Sequence, residues 1–472
     1  MIEVAEKHLQ EKIEQLYHHK QEHIFQFWNQ LNEIQRKNLS TQVSSIDFGQ
    51  LTELIQFAKT DSNPKKNEAA NLEPVEFITL EDRKTGDPEA LKTGEAYLKK
   101  GEIAAVLVAG GQSTRLGYND PKGMYPITPV RKKSLFQHHA EKIMALNKKY
   151  QVEIPWYIMT NEENYTATVE FFQKHNYWDL TKNSVFIFSQ DMVPAIDSDG
   201  KLILDAPDRI FTNPDGHGGI VKALFKSQAI EDMKRRGIKY LFHFQVDNLL
   251  INICDPVFLG YHIQRQSDMS NKVLRKRDPE EKIGVICKIN GKPGVVEYSD
   301  LPREEKYATN RDGSLTYWAG SIAIHMLSLH FIEREKSYFY KMPFHIARKK
   351  IPFIDENGNL ITPDKENGIK FETFIFDALF AAQKTISVEV ERREEFSPLK
   401  NKSGEDSIFT VHRDVCNLYG SWLESTGYKI PRNKDGNVSI KLEISPLYAL
   451  NKKEFLAKKQ QIDSIHDGLY IE

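Results

Sequence analysis

Val106-Leu107-Val108-Ala109-Gly110-Gly111-Gln112-Ser113-Thr114-Arg115-Leu116-Gly117, followed at once by Pro121-Lys122-Gly123-Met124-Tyr125-Pro126, decides how this chain is read. An apolar, β-branched run that stops at paired glycines is a buried strand turning into a loop, and backbone N–H groups in such a loop can come close to an anion. Arg115 and Lys122 add positive charge beside it. Backbone donors, a planar guanidinium and a mobile ammonium within so few residues match a triphosphate, whose oxygens need many donors at fixed angles. An ordinary glycine-rich strand-to-helix turn is the plainer alternative.

Spacing excludes two better-known phosphate loops. No Gly-Lys-Ser/Thr closes the segment, and its glycines do not fall as G-x-G-x-x-G, so neither a Walker loop nor a dinucleotide fingerprint is present. The remaining pattern of strand, double glycine, arginine and Pro-Lys resembles the signature loop of sugar-1-phosphate nucleotidyltransferases.

Outward from this loop, alternating elements define the fold. Strand candidates at Ala104–Val108, Trp156–Met159, Val185–Phe188, Leu241–Val246 and Gly284–Cys287 are separated by helical stretches such as Ser134–Lys148 and Ile220–Arg236. That order predicts an α/β fold with a doubly wound, mostly parallel (mixed) sheet, and ligands beyond the carboxyl ends of its strands. Before it, Val4, His8, Leu9, Ile13 and Leu16, then Ile24, Phe25, Phe27, Trp28, Leu31 and Ile34, recur at helical spacing. Asp61 to Gly101, rich in Pro, Asn, Lys, Glu and Gly, reads as an irregular connection. After Thr385, short β-rich pieces (Ser387–Val390, Val438–Glu443) suggest a small C-terminal lobe. The expected division is an N-terminal helical region and connection (1–101), a catalytic domain (102–385) and the lobe (386–472), with no internal repeat.

With 472 residues, the chain exceeds the size of a single core. Its 64 Lys and Arg against 66 Asp and Glu argue against a dedicated nucleic-acid binder. The three cysteines, Cys254, Cys287 and Cys416, show neither zinc spacing nor a disulfide framework, which fits a reducing cytosol. The apolar tracts near Ile103–Ala109 and Phe374–Ala382 are too short to cross a bilayer, so a cytoplasmic protein without export signal or anchor is expected.

Further blocks run in a familiar order: Ile154-Pro155-Trp156-Tyr157-Ile158-Met159-Thr160, Asn213-Pro214-Asp215-Gly216-His217-Gly218-Gly219, Gln245-Val246-Asp247-Asn248, Val295-Val296-Glu297-Tyr298-Ser299, Asn367-Gly368-Ile369-Lys370-Phe371-Glu372 and Glu395-Phe396-Ser397-Pro398-Leu399-Lys400-Asn401. With the phosphate loop they resemble the eukaryotic-type UDP-N-acetylglucosamine pyrophosphorylases, within the UDP-sugar pyrophosphorylase family. The match runs from the first helices to about Asn401. It implies uridylyl transfer: UTP and N-acetylglucosamine 1-phosphate give UDP-N-acetylglucosamine and pyrophosphate, with Mg²⁺ or alternatively Mn²⁺. The rival readings are a UDP-glucose or broad-specificity UDP-sugar pyrophosphorylase and, outside enzymes, a nucleotide-sugar sensor. Loss of Arg115, Lys122 or Asp247 would have favoured the sensor, and all three are present.

Asp247, at the exit of an apolar strand, suits a hard cation that takes one or two carboxylates together with substrate phosphates; a helix N-cap is the alternative. By resemblance, Lys370 and Lys400 reach the nucleotide or sugar phosphate, and Ala109, Gly110, Gly111 and Gly216 contact the nucleotide, the first three through their main chain. Gln190 matches the position that reads uracil, where a side-chain amide supplies both donor and acceptor; an exposed loop residue is its alternative. Gly284, Glu297, Tyr298, Phe374 and Phe376 match the sugar pocket, although phenylalanines most often serve a core. Two positions depart from the family pattern. Its Gly-Asn-Gly-Gly is here Gly216-His217-Gly218-Gly219, and its Asn-Ala-Gly-Asn is Trp318-Ala319-Gly320-Ser321, which leaves the preferred sugar open.

Overall fold

The computed structural model describes residues 1–60, 71–111, 113–458 and 462–472; Gln112 and the first part of the connection after Asp61 lie outside them. The chain forms two compact units: residues 1–69, 191–219 and 342–375 make one, and 70–190, 220–341 and 376–472 the other. The units therefore draw on discontinuous segments instead of consecutive blocks of sequence.

In the first unit, α1 (Lys7–His18), α2 (Glu33–Ser45) and α3 (Phe48–Thr60) follow the apolar spacing of the N-terminal sequence. Leu9, Ile13, Leu16, Leu39, Val43, Leu51 and Leu54 are buried on Val193, Ile196, Leu202, Ile369 and Phe371 from the later segments. Ile34 breaks the expected stripe and is exposed; it lies in the first turn of α2, which Asn32 caps through a reciprocal box with Gln35.

The second unit holds a ten-stranded sheet. Its strands are β1 (Leu72–Glu73), β2 (Ile103–Val108), β3 (Trp156–Thr160), β4 (Val185–Ser189), β5 (Tyr240–Gln245), β6 (Met269–Arg275), β7 (Val285–Ile289), β8 (Lys292–Val296), β9 (Ala319–Ser328) and β10 (Thr385–Glu389). Strands β5, β2, β3 and β4 pair in that order and in parallel. Beyond β5 the sheet turns antiparallel through β9, which also meets β6 and β7. Trp156 and Ile158 enter one core with α5 (Leu135–Tyr150) and α6 (Glu162–Lys174). Tyr157, pointing to the other face as strand alternation requires, donates to Asp232 on α8 (Ala229–Arg235), which follows α7 (Ile220–Lys226) after a break at Gln228. Helices on both faces explain why the strands read as continuous apolar runs.

Two segments differ from the sequence expectation. Residues Leu80–Lys99 of the supposed irregular connection form a long helix, α4, opened by a Thr79–Asp82 capping box and containing Pro88. Its glycines serve packing rather than turns. A Cβ on Gly94 would lie 1.8 Å from the Pro256 carbonyl oxygen, and one on Gly260 would lie 1.8 Å from that of Ala90, so α4 and α9 (Pro256–Gln264) touch backbone to backbone. Gly94→Ala is expected to cost about 1–3 kcal/mol through overpacking and to lower the thermal midpoint measured by calorimetry. The C-terminal region, read as short β-rich pieces, contains the 17-residue helix α10 (Ile408–Glu424). Its Val411, Val415, Tyr419 and Leu423 join the main core, while Thr385–Glu389 is a full member of the large sheet.

Candidate active site

The carboxyl ends of β2, β3 and β4 gather the first group of residues. The Ala109 N–H is used within the sheet, donating to the Met159 oxygen at 2.8 Å. The Gly110 oxygen accepts from the Asn161 side-chain amide at 2.8 Å. A Cβ on Gly110 would stand 3.2 Å from the Thr160 backbone and 3.4 Å from Gln190 Oε1, so the uracil-reading candidate lies against the glycine turn. Gln190 is buried, not the exposed loop residue of the alternative reading. Gly111 is exposed with open space around it. Arg115 is exposed and has no ion-pair partner among the described residues.

Lys122 begins a short 3-10 turn, Lys122–Met124, packed against the tip of the Phe136 ring; a Cβ on Gly123 would come within 2.2 Å of it. Its Nζ is 3.3 Å from Asp247 Oδ2, with both side chains largely shielded. Asp247 stands just past β5 and is followed by turns, so it caps no helix; the cap nearby is Asp255, at the start of α9. The Asp247 oxygen accepts from Leu399 N–H at 2.9 Å. Asn248 receives the Ser397 N–H at 3.0 Å and donates to the Glu395 oxygen at 2.7 Å. Two blocks far apart in sequence are thus stitched together, which brings the Lys400 loop to the Asp247 turn. Lys400 itself reaches Asp406 at 3.6 Å and remains 39% exposed.

No group of three or more His, Cys, Asp or Glu able to hold a metal occurs among the described residues. A lone, largely shielded carboxylate paired with Lys122 fits Mg²⁺, which keeps several waters and shares its coordination with substrate phosphates. It does not fit a cation needing an all-protein cage.

Beneath this turn lie residues that the sequence reading missed. On α5, His139 Nε2 donates to the Val246 oxygen at 3.0 Å. Lys142, one turn on, donates to the oxygens of Leu249 and Ile251, each at 2.7 Å. Burial lowers His139 to about 3 and Lys142 to about 7, Glu395 opposing the latter shift. Two carbonyls and no contacting carboxylate leave the Lys142 charge without an adjacent counter-ion. Lys272, fully buried, bridges Asp255 at 2.8 Å and Glu395 at 2.6 Å. The available signal was a histidine and a lysine three apart on the apolar face of a helix.

In the first unit, the loop around Gly216 folds onto residues 372–375. Gly216, at φ +90°, would place a Cβ 2.3 Å from the Thr373 oxygen, and one on Gly218 would fall 2.7 Å from Phe374 N. Only glycine permits that approach. His217 consequently stacks on Phe374 with ring centroids 5.2 Å apart, and Phe374 also lies 4.4 Å from His345. The Ile375 N–H donates to His217 Nδ1 at 3.2 Å, which places the ring proton on Nε2. Burial, aided by His345, lowers His217 to about 4, so the ring is neutral at pH 7. Lys370 Nζ sits 4.8 Å over the Phe211 ring.

The remaining sugar-pocket candidates belong to the second unit. Ser321 N–H donates to the Gly284 oxygen at 2.8 Å. A Cβ on Gly284 would lie 3.1 Å from Glu297 Oε1, so these three residues form one cluster. Tyr298 is 42% exposed, whereas Phe376 is buried.

The chain as a whole is similar to known proteins. The family described as UTP–glucose-1-phosphate uridylyltransferase matches residues 50–467, and the chain belongs to it. It is 38% identical to a probable UDP-N-acetylglucosamine pyrophosphorylase of Dictyostelium discoideum, over 91% of each chain. It is 40% identical to the UDP-N-acetylglucosamine pyrophosphorylase of Saccharomyces cerevisiae, over 82% of this chain and 84% of that one. The crystal structure of a putative UDP-N-acetylglucosamine pyrophosphorylase from Entamoeba histolytica is similar at a TM-score of 0.77 and 33% identity, covering 85% of this chain and 100% of that one.

Proposed function

We propose that this chain is a uridylyltransferase that makes UDP-N-acetylglucosamine and pyrophosphate from UTP and N-acetylglucosamine 1-phosphate. An oxygen of the sugar phosphate attacks the α-phosphorus of UTP in line; the new P–O bond joins sugar phosphate to uridylate, and the bond to the β-phosphate breaks to release pyrophosphate. The nucleophile is already an anion, so no general base is required. What the reaction needs is positive charge placed in advance where negative charge gathers. Arg115, Lys122 and Lys400 are assigned that role, with Lys370 on a substrate phosphate and Gln190 on the uracil edge. Asp247 would hold Mg²⁺, or Mn²⁺ in its place, which supplies charge neutralisation at the phosphates. The observation that carries this reading is the Lys122–Asp247 pair at the exit of β5, joined through Leu399 to the Lys400 loop.

N-acetylglucosamine is favoured over glucose because the Dictyostelium discoideum and Saccharomyces cerevisiae relatives bear that sugar in their names. Glu297, Tyr298, Gly284, Phe374 and Phe376 are assigned to the sugar side. His217 and Ser321 alter its polar contacts, each changed hydrogen bond being worth about 0.5–1.5 kcal/mol. The double substitution His217→Asn, Ser321→Asn is therefore expected to raise the kcat/KM ratio for N-acetylglucosamine 1-phosphate over glucose 1-phosphate by roughly 2- to 10-fold per position. An unchanged ratio would mean that these positions do not set sugar choice. Equal kcat/KM for both sugars in the parent protein would instead favour a broad-specificity enzyme. Three free, buried cysteines suit a reducing cytoplasm, and no helix among the described residues is long and apolar enough to cross a membrane.

A further inference from the structure

Residues 126–134 form a tongue directly after the Lys122 turn. It is closed at its base by the Pro126–Ser134 bridge and braced by Ile127 N–H donating to the Lys133 oxygen at 2.8 Å. Leu135 N–H, at the foot of the tongue, donates to the Tyr125 oxygen at 3.2 Å, and Tyr125 N–H donates to the Lys122 oxygen at 3.0 Å. Hydrogen bonds therefore run unbroken from the tongue to the residue that bears the ammonium.

The C-terminal region grips this tongue at three points. Glu443, 2% exposed, accepts the Val130 and Arg131 N–H groups on one oxygen at 2.9 and 2.8 Å. Tyr470 accepts from Lys133 Nζ at 2.8 Å, and the Arg131 guanidinium covers its ring at 4.3 Å. His412 Nε2 donates to the Ile127 oxygen at 2.8 Å. Glu443 and Tyr470 lie directly opposite each other in the paired strands Leu442–Ile444 and Leu469–Ile471. The second phosphate-directed loop hangs from the same framework. Lys400 and Asn401 N–H both bond the Asp406 oxygen, at 2.7 and 2.9 Å, immediately before Ser407 caps α10, and His412 lies on the first turns of that helix.

We infer that α10 and the paired strands Leu442–Ile444 and Leu469–Ile471 form a strut that sets the spacing of Lys122 and Lys400, with Glu443 its principal positioning residue. This rests on the reading of Lys122 as a phosphate-binding group. Glu443 touches no substrate; it holds the tongue from which the Lys122 turn is suspended. A buried carboxylate accepting two adjacent backbone N–H groups is a strong and geometrically narrow anchor. A misplacement of about 1 Å in a group facing a reacting phosphate costs on the order of 100-fold in rate.

The test is a double-mutant cycle on pyrophosphate release from UTP and N-acetylglucosamine 1-phosphate, since positioning through Lys122 predicts non-additivity and a merely structural role does not. Glu443→Ala should lower kcat/KM by about 10- to 100-fold in the parent protein, but by less than about threefold when Lys122 is already alanine. Glu443→Gln, whose amide oxygen still accepts both N–H groups, should stay within about threefold of the parent. If Glu443→Ala does not fold, His412→Leu is run through the same cycle with the same expected pattern. An equal loss in both Lys122 backgrounds overturns the strut while leaving the phosphate-loop reading intact. Full activity of Lys122→Ala alone overturns both, and full activity of Glu443→Ala overturns the strut.

Discussion

Lys122→Ala and Arg115→Ala should each lower kcat by about 10²–10³-fold, the usual loss when one preorganised charge is taken from a phosphoryl-transfer site. The two variants are expected to differ in stability. Arg115 is exposed, so its replacement should leave the thermal midpoint where it was. Lys122 shares a shielded pair with Asp247, and its removal leaves a carboxylate without its partner, so a lower midpoint should accompany the loss of turnover. Near-normal kcat in both would remove the phosphate-loop assignment. A loss of kcat in Arg115→Ala with an unaltered melting curve would tie the effect to chemistry.

Asp247→Asn should raise the Mg²⁺ concentration for half activity at least tenfold, because it preserves shape and removes the only charge proposed to hold the ion; perturbing even the partners of metal ligands costs about 10–100-fold in affinity. Activity of the parent should vanish with chelator and return with Mg²⁺ or Mn²⁺. The positions beneath the turn should stay in place, since Leu399 bonds the backbone oxygen of Asp247 and not its carboxylate. An unchanged metal titration in Asp247→Asn would make the carboxylate a structural partner of Lys122 alone.

The parallel half of the sheet was legible because strands covered on both faces must be apolar throughout, and their carboxyl ends point to the ligand side. On that ground Asp247 could be placed without coordinates, whereas Gln190 was assigned through the family resemblance. Helix α4 was hidden by the residues that make it useful. Gly86, Pro88 and Gly94 read as loop punctuation, yet Gly86 accommodates the Tyr261 ring and Gly94 the Pro256 backbone, contacts that exist only once α9 is folded against α4. The same holds for the apposition of His217 with Phe374 and Ile375, which depends on Gly216 and Gly218 admitting a distant backbone. Lys142 and Lys272 were missed for a different reason. Lysine is read as a surface residue, and only the converging carbonyls show why Lys142 turns inward, as the carboxylates do for the buried Lys272.

The central claim is transfer of uridylate to a sugar phosphate, and following the phosphorus of UTP tests it most directly. The purified protein is incubated with Mg²⁺, N-acetylglucosamine 1-phosphate and UTP labelled at either the α- or the γ-phosphate. The account predicts α-label in UDP-N-acetylglucosamine and γ-label in pyrophosphate, in equal amounts and only when the sugar phosphate is present. Binding of UTP with no sugar-dependent release of pyrophosphate, or γ-label appearing on the sugar, would contradict it.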